Sequence, residues 1–511
     1  MRDVYLIDGV RTPFYKAYGQ VEHLCNSQLA AAAVEGLIMK GCYDPAKFDA
    51  LIWGSAVVDP AEPNIARNVI LSLGLPPSID GLTLTKACLS SLAAIEHGIR
   101  LITTGAADVV IAGGSDSTSS SSMVVPRNVT QTLQHISSAP AGKKKLGKRL
   151  WALRQHGWNK VLPVPISLNE KATSLNMGTH ADWMAIIHRI TREEQDAYAA
   201  ASQAKARAIL FPSSQTPTPT QTQTEVEIEV EEKEKKDSKG SEREITAGVV
   251  YLEHYIVPLS SSQGQKLREG DLVRRHPTSP ERLAQLPTVF GEGGITAASA
   301  SPLTDGAAVV VLVSAVGMRR ILGEMGDSAS DSDHDRSSLP HAGQRHTHAL
   351  RYRHSHSTAI DPMPQLLLGP AFAIPHCLHA CGLNLADIDA WHVHEAFAAQ
   401  VIAMHRCWGN SAFCRAFFQP MLAEQGNATL GTVDSRKWNR LGGSLAWGHP
   451  FGATGARLCI DALCEGQGMK EGSQLMVALC AAGGLGGAML WETCEMSKSG
   501  QVLASQPHSK L

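Results

Sequence analysis

The chain has 511 residues, 43% of them hydrophobic and 18% charged, with a formal net charge of -2. That length suits two or three domains with a large core, and near-neutral charge gives no electrostatic bias toward nucleic acid. No apolar run reaches the roughly 18 residues that a membrane span needs. The opening MRDVYLIDGVRTPF reads as a strand running into a turn, with no apolar signal core and no Arg/Ser-rich transit character. Eleven cysteines, scattered from Cys25 to Cys494 without framework spacing, read as reduced thiols.

TLTKACLSSLAAIEHGIRL places Cys88 at a predicted strand-to-helix junction. There the helix dipole is expected to lower the thiol pKa and favour a thiolate; the plainer reading is a small buried hydrophobe. AADVVIAGGSDS, Ala106 to Ser117, is a buried strand ending in glycines. GKKKLGKRLWALRQHGWNK, residues 142–160, is basic and carries Leu146, Leu150, Trp151, Leu153 and Trp158. It reads as a membrane-surface helix, with a solvated basic face and a cradle for phosphates as the competing readings. Residues 213–244 pass from Thr/Pro/Gln to mixed charge, and residues 323–357 are polar and His-rich. Both are expected to be mobile insertions, because neither buries enough apolar surface to offset its ordering entropy. The HTH and HSH triplets of the second lack a Cys or acidic partner at ligand spacing, so no metal site is expected. Between the insertions, SPLTDGAAVVVLVS reads as a turn into a buried strand. HCLHAC, His376 to Cys381, falls on an amphipathic helix and reads as packing rather than a metal site.

Three further stretches carry chemistry. In DAWHVHEAFAAQ, His394 ends a strand and is placed to order a water or a substrate oxygen; the plain alternative is a helix N-terminus favouring Glu395. NRLGGSLAWGHPFGATG sets His449 among Gly442, Gly443, Gly448, Gly452 and Gly455. A histidine displayed on so thin a turn suits proton transfer to a thiol or a hydrogen bond to a developing oxyanion. CAAGGLGGA, Cys480 to Ala488, offers a thiol and unpaired N–H groups after a buried strand. It is not a dinucleotide fingerprint, because the further βαβ units that motif requires do not follow.

Buried β runs alternating with helices indicate an α/β protein. Cys88, a helix and DVVIAGG are echoed by Gly452, a helix and QLMVALCAAGG, so two related halves are expected. The boundaries read as 1–118 with 245–316 for the first half and 119–244 for a loop domain. The second half is 317–495, and a flexible tail is 496–511. The tail closes on Ser509-Lys510-Leu511, the form of a receptor-read peroxisomal address, so a peroxisome or related organelle is the expected location.

Taken together, KACLSSLAAIEHG, NRLGGSLAWGHPFGATGAR, CAAGGLGGA, VRTPF and SPLTDGAA resemble the thiolase family over residues 1–320 and 358–492. HEAFAAQ and GGSLAWGHPFGATG are most similar to its branch of β subunits from the fatty-acid-oxidation trifunctional complex. The resemblance implies a five-layered α-β-α-β-α stack of two similar halves with an inserted loop domain. It implies Cys88 as acyl-accepting nucleophile, His449 as its activator, Cys480 as acid/base, and His394, acting through water, in one oxyanion site. The backbone N–H groups of Cys88 and Ala482 would form the other, with Gly483 beside them at the substrate. Ser301 would lie near the pantetheine arm and Met177 would line the acyl channel. Implied partners are acyl-CoA and CoA as substrates with no separate cofactor, a homo-oligomer (dimer or higher), a hydratase/dehydrogenase α subunit, and membrane contact through 142–160. The implied reaction is 3-ketoacyl-CoA thiolysis. Acetoacetyl-CoA synthesis by an acetyl-CoA C-acetyltransferase, and a non-catalytic lipid-binding or scaffold subunit, are the alternatives.

Overall fold

The computed structural model describes residues 2–122, 129–131, 169–211, 255–260, 264–267, 270, 272–322 and 348–496. The apolar runs become strands: β1 (Tyr5–Arg11), the short β2 (Tyr15–Lys16), β3 (Ala50–Gly54), β4 (Asp80–Leu84), β5 (Val109–Asp116), the two-residue pair β6 (Leu259–Ser260) and β7 (Lys266–Leu267), β8 (Thr304–Val313), β9 (His348–Ala359), β10 (Ala390–Val393), β11 (Gln474–Ala481) and β12 (Leu485–Glu495). Every residue of β1, β3, β5 and β8 is buried, as expected of strands covered on both faces. The main sheet runs β10-β11-β12-β9-β1-β8-β5-β3-β4.

That order contains the same unit twice. In the first half β4, β3 and β5 are parallel neighbours, and β8 and β1 follow antiparallel. In the second half β10 and β11 are parallel, and β12 and β9 follow antiparallel. β1 therefore corresponds to β9, β3 to β10, β5 to β11 and β8 to β12. The halves meet where β1 pairs with β9, at Tyr5↔Arg351 and Leu6↔Leu350.

The helices that matter are α1 (Asn26–Gly41), α2 (Ile65–Ser72), α3 (Ser90–Thr104), α4 (Met177–Ile187), α5 (Arg192–Leu210), α6 (Ala315–Leu322), α7 (Gly369–Ala380), α8 (Ala398–Gly409), α9 (Ser411–Gln425) and α10 (Thr454–Gly466). Three apolar clusters hold the layers together. One packs α1 and α2 on the first half through Val34, Leu37, Trp53 and Val69. The second holds α3 and α10 at the centre, through Leu92, Ile95, Leu458, Val310 and Val477. The third packs α7 and α8 on the second half through Phe372, Trp391, Met404 and Trp408. α3 leads into β5 and α10 into β11, the echo expected from the sequence. The two helices touch at their starts because residue 455 is glycine: a Cβ there would stand 2.7 Å from the Leu92 nitrogen.

One boundary is corrected. Residues 348–357 were expected to belong to a mobile insertion, yet they form most of β9, whose ladder to β12 runs from His348↔Glu495 to Ala359↔Leu485. Composition misled because β9 lies at a seam with one wetter side. Ala349 and Leu350 are buried, while Arg353, His356 and Thr358 keep their polar groups nearer solvent. The HSH triplet thus lies on a strand, where the His356 ring stacks on His376 of α7 at 5.0 Å. The rest of that stretch, the insertion 213–244, the basic 142–160 segment and the C-terminal tripeptide lie outside the described residues. Among the described residues no helix is long and apolar enough to cross a membrane.

Candidate active site

Four loops converge at the carboxyl ends of the parallel strands: Lys86–Cys88 before α3, 394–397 after β10, 448–451 before α10, and 480–484 after β11. Cys88 is partly buried, and its sulfur accepts the backbone N–H groups of Ala482 and of Cys88 itself. The residue before it, Ala87, is held at φ 48°, which turns the thiol out of the strand path. Cys480, at the end of β11, is buried, and its thiol and that of Cys88 repel each other's ionisation.

The expectation of a helix-stabilised thiolate is overturned. α3 begins at Ser90 rather than at Cys88, and burial, reinforced by the Asp116 carboxylate, pushes the Cys88 thiol up to about 12 against the two N–H donors. Burial likewise drives the Cys480 thiol upward. Both cysteines rest as thiols, so a base must take the proton as Cys88 attacks.

That base is at hand. His449 is buried, and its Nδ1 lies 2.7 Å from Thr454 Oγ1. The Thr454 hydroxyl gives its only proton to the Pro450 carbonyl at 2.9 Å. It therefore accepts from His449 Nδ1–H, and Nε2 is left with its lone pair. Burial, helped by the Arg457 charge, lowers the His449 pKa to about 3, so the ring is neutral. His394 stands against it with ring centroids 4.0 Å apart. Its Nδ1 lies 2.7 Å from Ser444 Oγ. Burial, the His449 ring and Arg457 hold its pKa well below the ordinary value.

The other sequence-derived residues divide. Ser301 bonds through its N–H to the Ala396 carbonyl at 2.9 Å, and the His449 N–H reaches Pro302 O, so the 301–303 turn lies between the two histidine loops. Met177, at the start of α4, packs on the apolar cluster that holds Phe397, Ala396, Phe290 and Cys480. Ala482 directs its N–H at Cys88. Gly483 differs: its N–H donates to Glu170 Oε2 at 2.6 Å, so it serves to fix the loop, with φ 83° that favours glycine. Among the described residues no cluster of three His, Cys, Asp or Glu side chains is placed to hold a metal.

Several participants escaped the sequence reading. Asp116, fully buried at the end of β5, accepts from Ser55 Oγ and the N–H groups of Ala56, Val57 and Gly452. Its bond to Gly452, 2.5 Å, ties the first half to the His449 loop, and burial raises its pKa to about 6. Glu395 is buried and satisfied by Tyr198, Ser202, Asn439 and the Leu445 N–H. Ser444, Thr454 and Arg457 surround the histidines. Only Glu395, adjacent to His394, carried a signal in sequence; a lone Asp after a glycine pair or a hydroxyl inside a helix carries none.

Two thiols, two neutral imidazoles and an N–H aimed at sulfur are thus held on a duplicated α/β fold. Residues 4–316 match the thiolase N-terminal domain model and residues 346–493 the thiolase C-terminal domain model. The chain belongs to the thiolase family. It is 32% identical to a protein named 3-ketoacyl-CoA thiolase from Shewanella pealeana, over 96% of each chain. It is also 32% identical to one of the same name from Colwellia psychrerythraea, over 96% of this chain and 97% of that one. In fold it is similar to human mitochondrial 3-ketoacyl-CoA thiolase, with TM-score 0.67 and 24% identity over 96% of this chain and 98% of that one. The peroxisomal destination read from Ser509-Lys510-Leu511 is corrected by the Shewanella and Colwellia relatives: they are bacterial, and bacteria have no peroxisomes.

Proposed function

We propose that the chain is a 3-ketoacyl-CoA thiolase of fatty-acid β-oxidation, an acyltransferase for which CoA is a substrate and not a cofactor. The observation that carries this reading is the pair of protonated thiols, Cys88 and Cys480, joined through Asp116 to the loop of a histidine whose Nε2 is an acceptor.

Cys88 gives its proton to His449 Nε2 as sulfur attacks the ketone carbon. The tetrahedral oxyanion collapses, the bond between that carbon and the thioester α-carbon breaks, and acyl-Cys88 forms. The electron pair stays on the α-carbon as an enolate of acetyl-CoA, and Cys480 protonates it. The Cys480 thiolate then takes the proton of an incoming CoA thiol. CoA sulfur attacks acyl-Cys88, and the departing Cys88 sulfur recovers its proton from His449. The two thiols thus alternate as proton donor and acceptor while only one is acylated. Oxyanions form twice, and each preorganised donor at such a centre is worth about 3–4 kcal/mol. Ala482 N–H serves one and His394 the other.

The apolar cluster around Met177, Phe290 and Phe397 supports a role for the acyl chain and favours thiolysis over acetoacetyl-CoA synthesis. The intact set of reacting groups speaks against a scaffold subunit. Assembly into a homo-oligomer is supported by β4, which ends the sheet among the described residues and is partly exposed. Association with a hydratase/dehydrogenase α subunit, and membrane contact through 142–160, rest on the sequence alone. The test follows the enolate absorbance of 3-ketoacyl-CoAs of increasing length on mixing with CoA and enzyme. Loss of absorbance that disappears with Cys88→Ala establishes thiolysis; a folded wild-type protein inert across the series refutes it.

A further inference from the structure

The two histidines lie face to face, yet each leans on a different hydroxyl. Thr454 Oγ1 spends its proton on Pro450 O and therefore accepts from His449 Nδ1. Ser444 Oγ is in the opposite position. Arg457 Nη2, which is only a donor, occupies one of its lone pairs at 3.0 Å. The other partner of that oxygen is His394 Nδ1, at 2.7 Å. A hydroxyl that accepts from a guanidinium and has one further partner is fully used only if it gives its proton to that partner. Were Nδ1 the donor instead, the Ser444 proton would lack an acceptor inside a buried site, which is costly.

Arg457 has no freedom to relax this arrangement. It is fully buried on α10, and its Nη1 is held by Asp461 one turn along at 2.5 Å. The stripe Thr454, Arg457, Asp461 runs down one face of α10 at helical spacing, so one rigid element carries both devices. Ser444 stands on the single turn Ser444–Trp447, directly before the His449 loop. Neither histidine Nε2 has a hydrogen-bond partner among the described residues.

We propose that Ser444 and Arg457 are positioning residues that fix His394 as the Nε2–H tautomer, opposite to His449, so that adjacent imidazoles serve as a hydrogen-bond donor and a proton acceptor. This rests on the thiolase reading for its kinetic consequence and on the hydrogen-bond geometry for the tautomer itself. A pair of like rings would otherwise interconvert between forms, and half the population would present two acceptors or two donors to the substrate. Setting the tautomers from behind leaves both Nε2 atoms committed before substrate arrives, which is what preorganisation requires.

The experiment uses the full chain with 15N-labelled histidine, and His394 and His449 are assigned by difference with His394→Asn and His449→Asn. The long-range 15N–1H pattern distinguishes Nδ1–H from Nε2–H. His394 is expected in the Nε2–H form and His449 in the Nδ1–H form. Ser444→Ala should convert His394 to a mixture and lower kcat for thiolysis in proportion to the Nε2–H fraction lost, about twofold for an even mixture, with little change in KM for either substrate. Ser444→Thr keeps the hydroxyl and should restore both the Nε2–H pattern and most of kcat. A wild-type His394 carrying its proton on Nδ1, or a Ser444→Ala protein with an unchanged pattern, overturns the proposal. Correct tautomers in a protein inert toward every 3-ketoacyl-CoA would sustain it and count against the thiolase reading instead.

Discussion

α3 and α10 are the same element of the repeated unit, each preceding the strand that ends at the site, yet they are furnished differently. α3 buries Leu92, Ala94, Ile95, Ile99 and Ile102 behind Cys88, and its buried hydroxyls do no more than bond backbone, Ser90 its own turn and Ser91 the Ala456 N–H of α10. α10 is just as buried but carries Thr454, Arg457 and Asp461 through its centre. A buried ion pair is rarely retained for stability, since two charges lose more hydration than their attraction returns. The helix that presents a nucleophile needs only a rigid apolar support. The one that presents a base must also govern where protons sit. Duplication supplied a common backbone, and the chemistry came from what was placed inside each copy.

The sharpest way to separate these roles is to remove His449. His449→Ala should reduce kcat for thiolysis by roughly 10²–10⁴, the usual worth of a positioned general base. Alkylation of Cys88 by iodoacetamide at neutral pH should stay slow in this variant, because the thiol is held near 12 by burial and Asp116 whether or not the ring is present. Fast alkylation would show that the first half activates its own nucleophile and would dissolve the distinction.

The second comparison is with acid. His449 and His394 are lowered in the folded chain and ordinary when unfolded, so the unfolded state binds more protons below about pH 6.5. Their contribution to stability is present above that pH and is lost as pH falls, for His449 toward about 3, at about 1.4 kcal/mol per pH unit for each ring. Asp116, raised to about 6, acts in the other direction: its contribution is present at low pH and lost as pH rises through 6. Urea midpoints measured from pH 7 to pH 4 should fall overall, and His449→Asn should flatten the slope. An unaltered slope would mean that the imidazole is not buried neutral.

A smaller effect is expected where the helices meet. Gly455→Ala forces a Cβ to within 2.7 Å of the Leu92 nitrogen and 3.0 Å of Ser91 Oγ. Overpacking of this kind costs about 1–3 kcal/mol. Thermal unfolding should show the loss, with kcat reduced only as far as the 449 loop shifts. An unchanged midpoint would mean that the α3–α10 contact is looser than the geometry requires.

Much of the site was legible because its parts are local in sequence. Cys88, His449 and Cys480 each sit in a short stretch of small residues, a composition that a packed core has no reason to use. The buried strands were equally plain, for VVIAGG and LMVALC are apolar throughout. β9 was not legible, because HALRYRHSHSTA takes its order from β1 and β12, strands distant in the chain. The pKa of Cys88 was also misjudged: the dipole argument was local, whereas burial by the assembled fold decides it, helped by Asp116 from the end of another strand. Ser444 and Thr454 were invisible for a different reason. A hydroxyl gains its meaning from the direction of one proton, and that direction is set by partners only the fold assembles.

The residues of the site are distributed unevenly between the halves: Cys88 belongs to the first, while His394, His449 and Cys480 belong to the second. Reactivity is therefore a logical conjunction. A partly folded chain has the proposed nucleophile in one half and the proposed base in the other, so the pair exists only once the halves have docked.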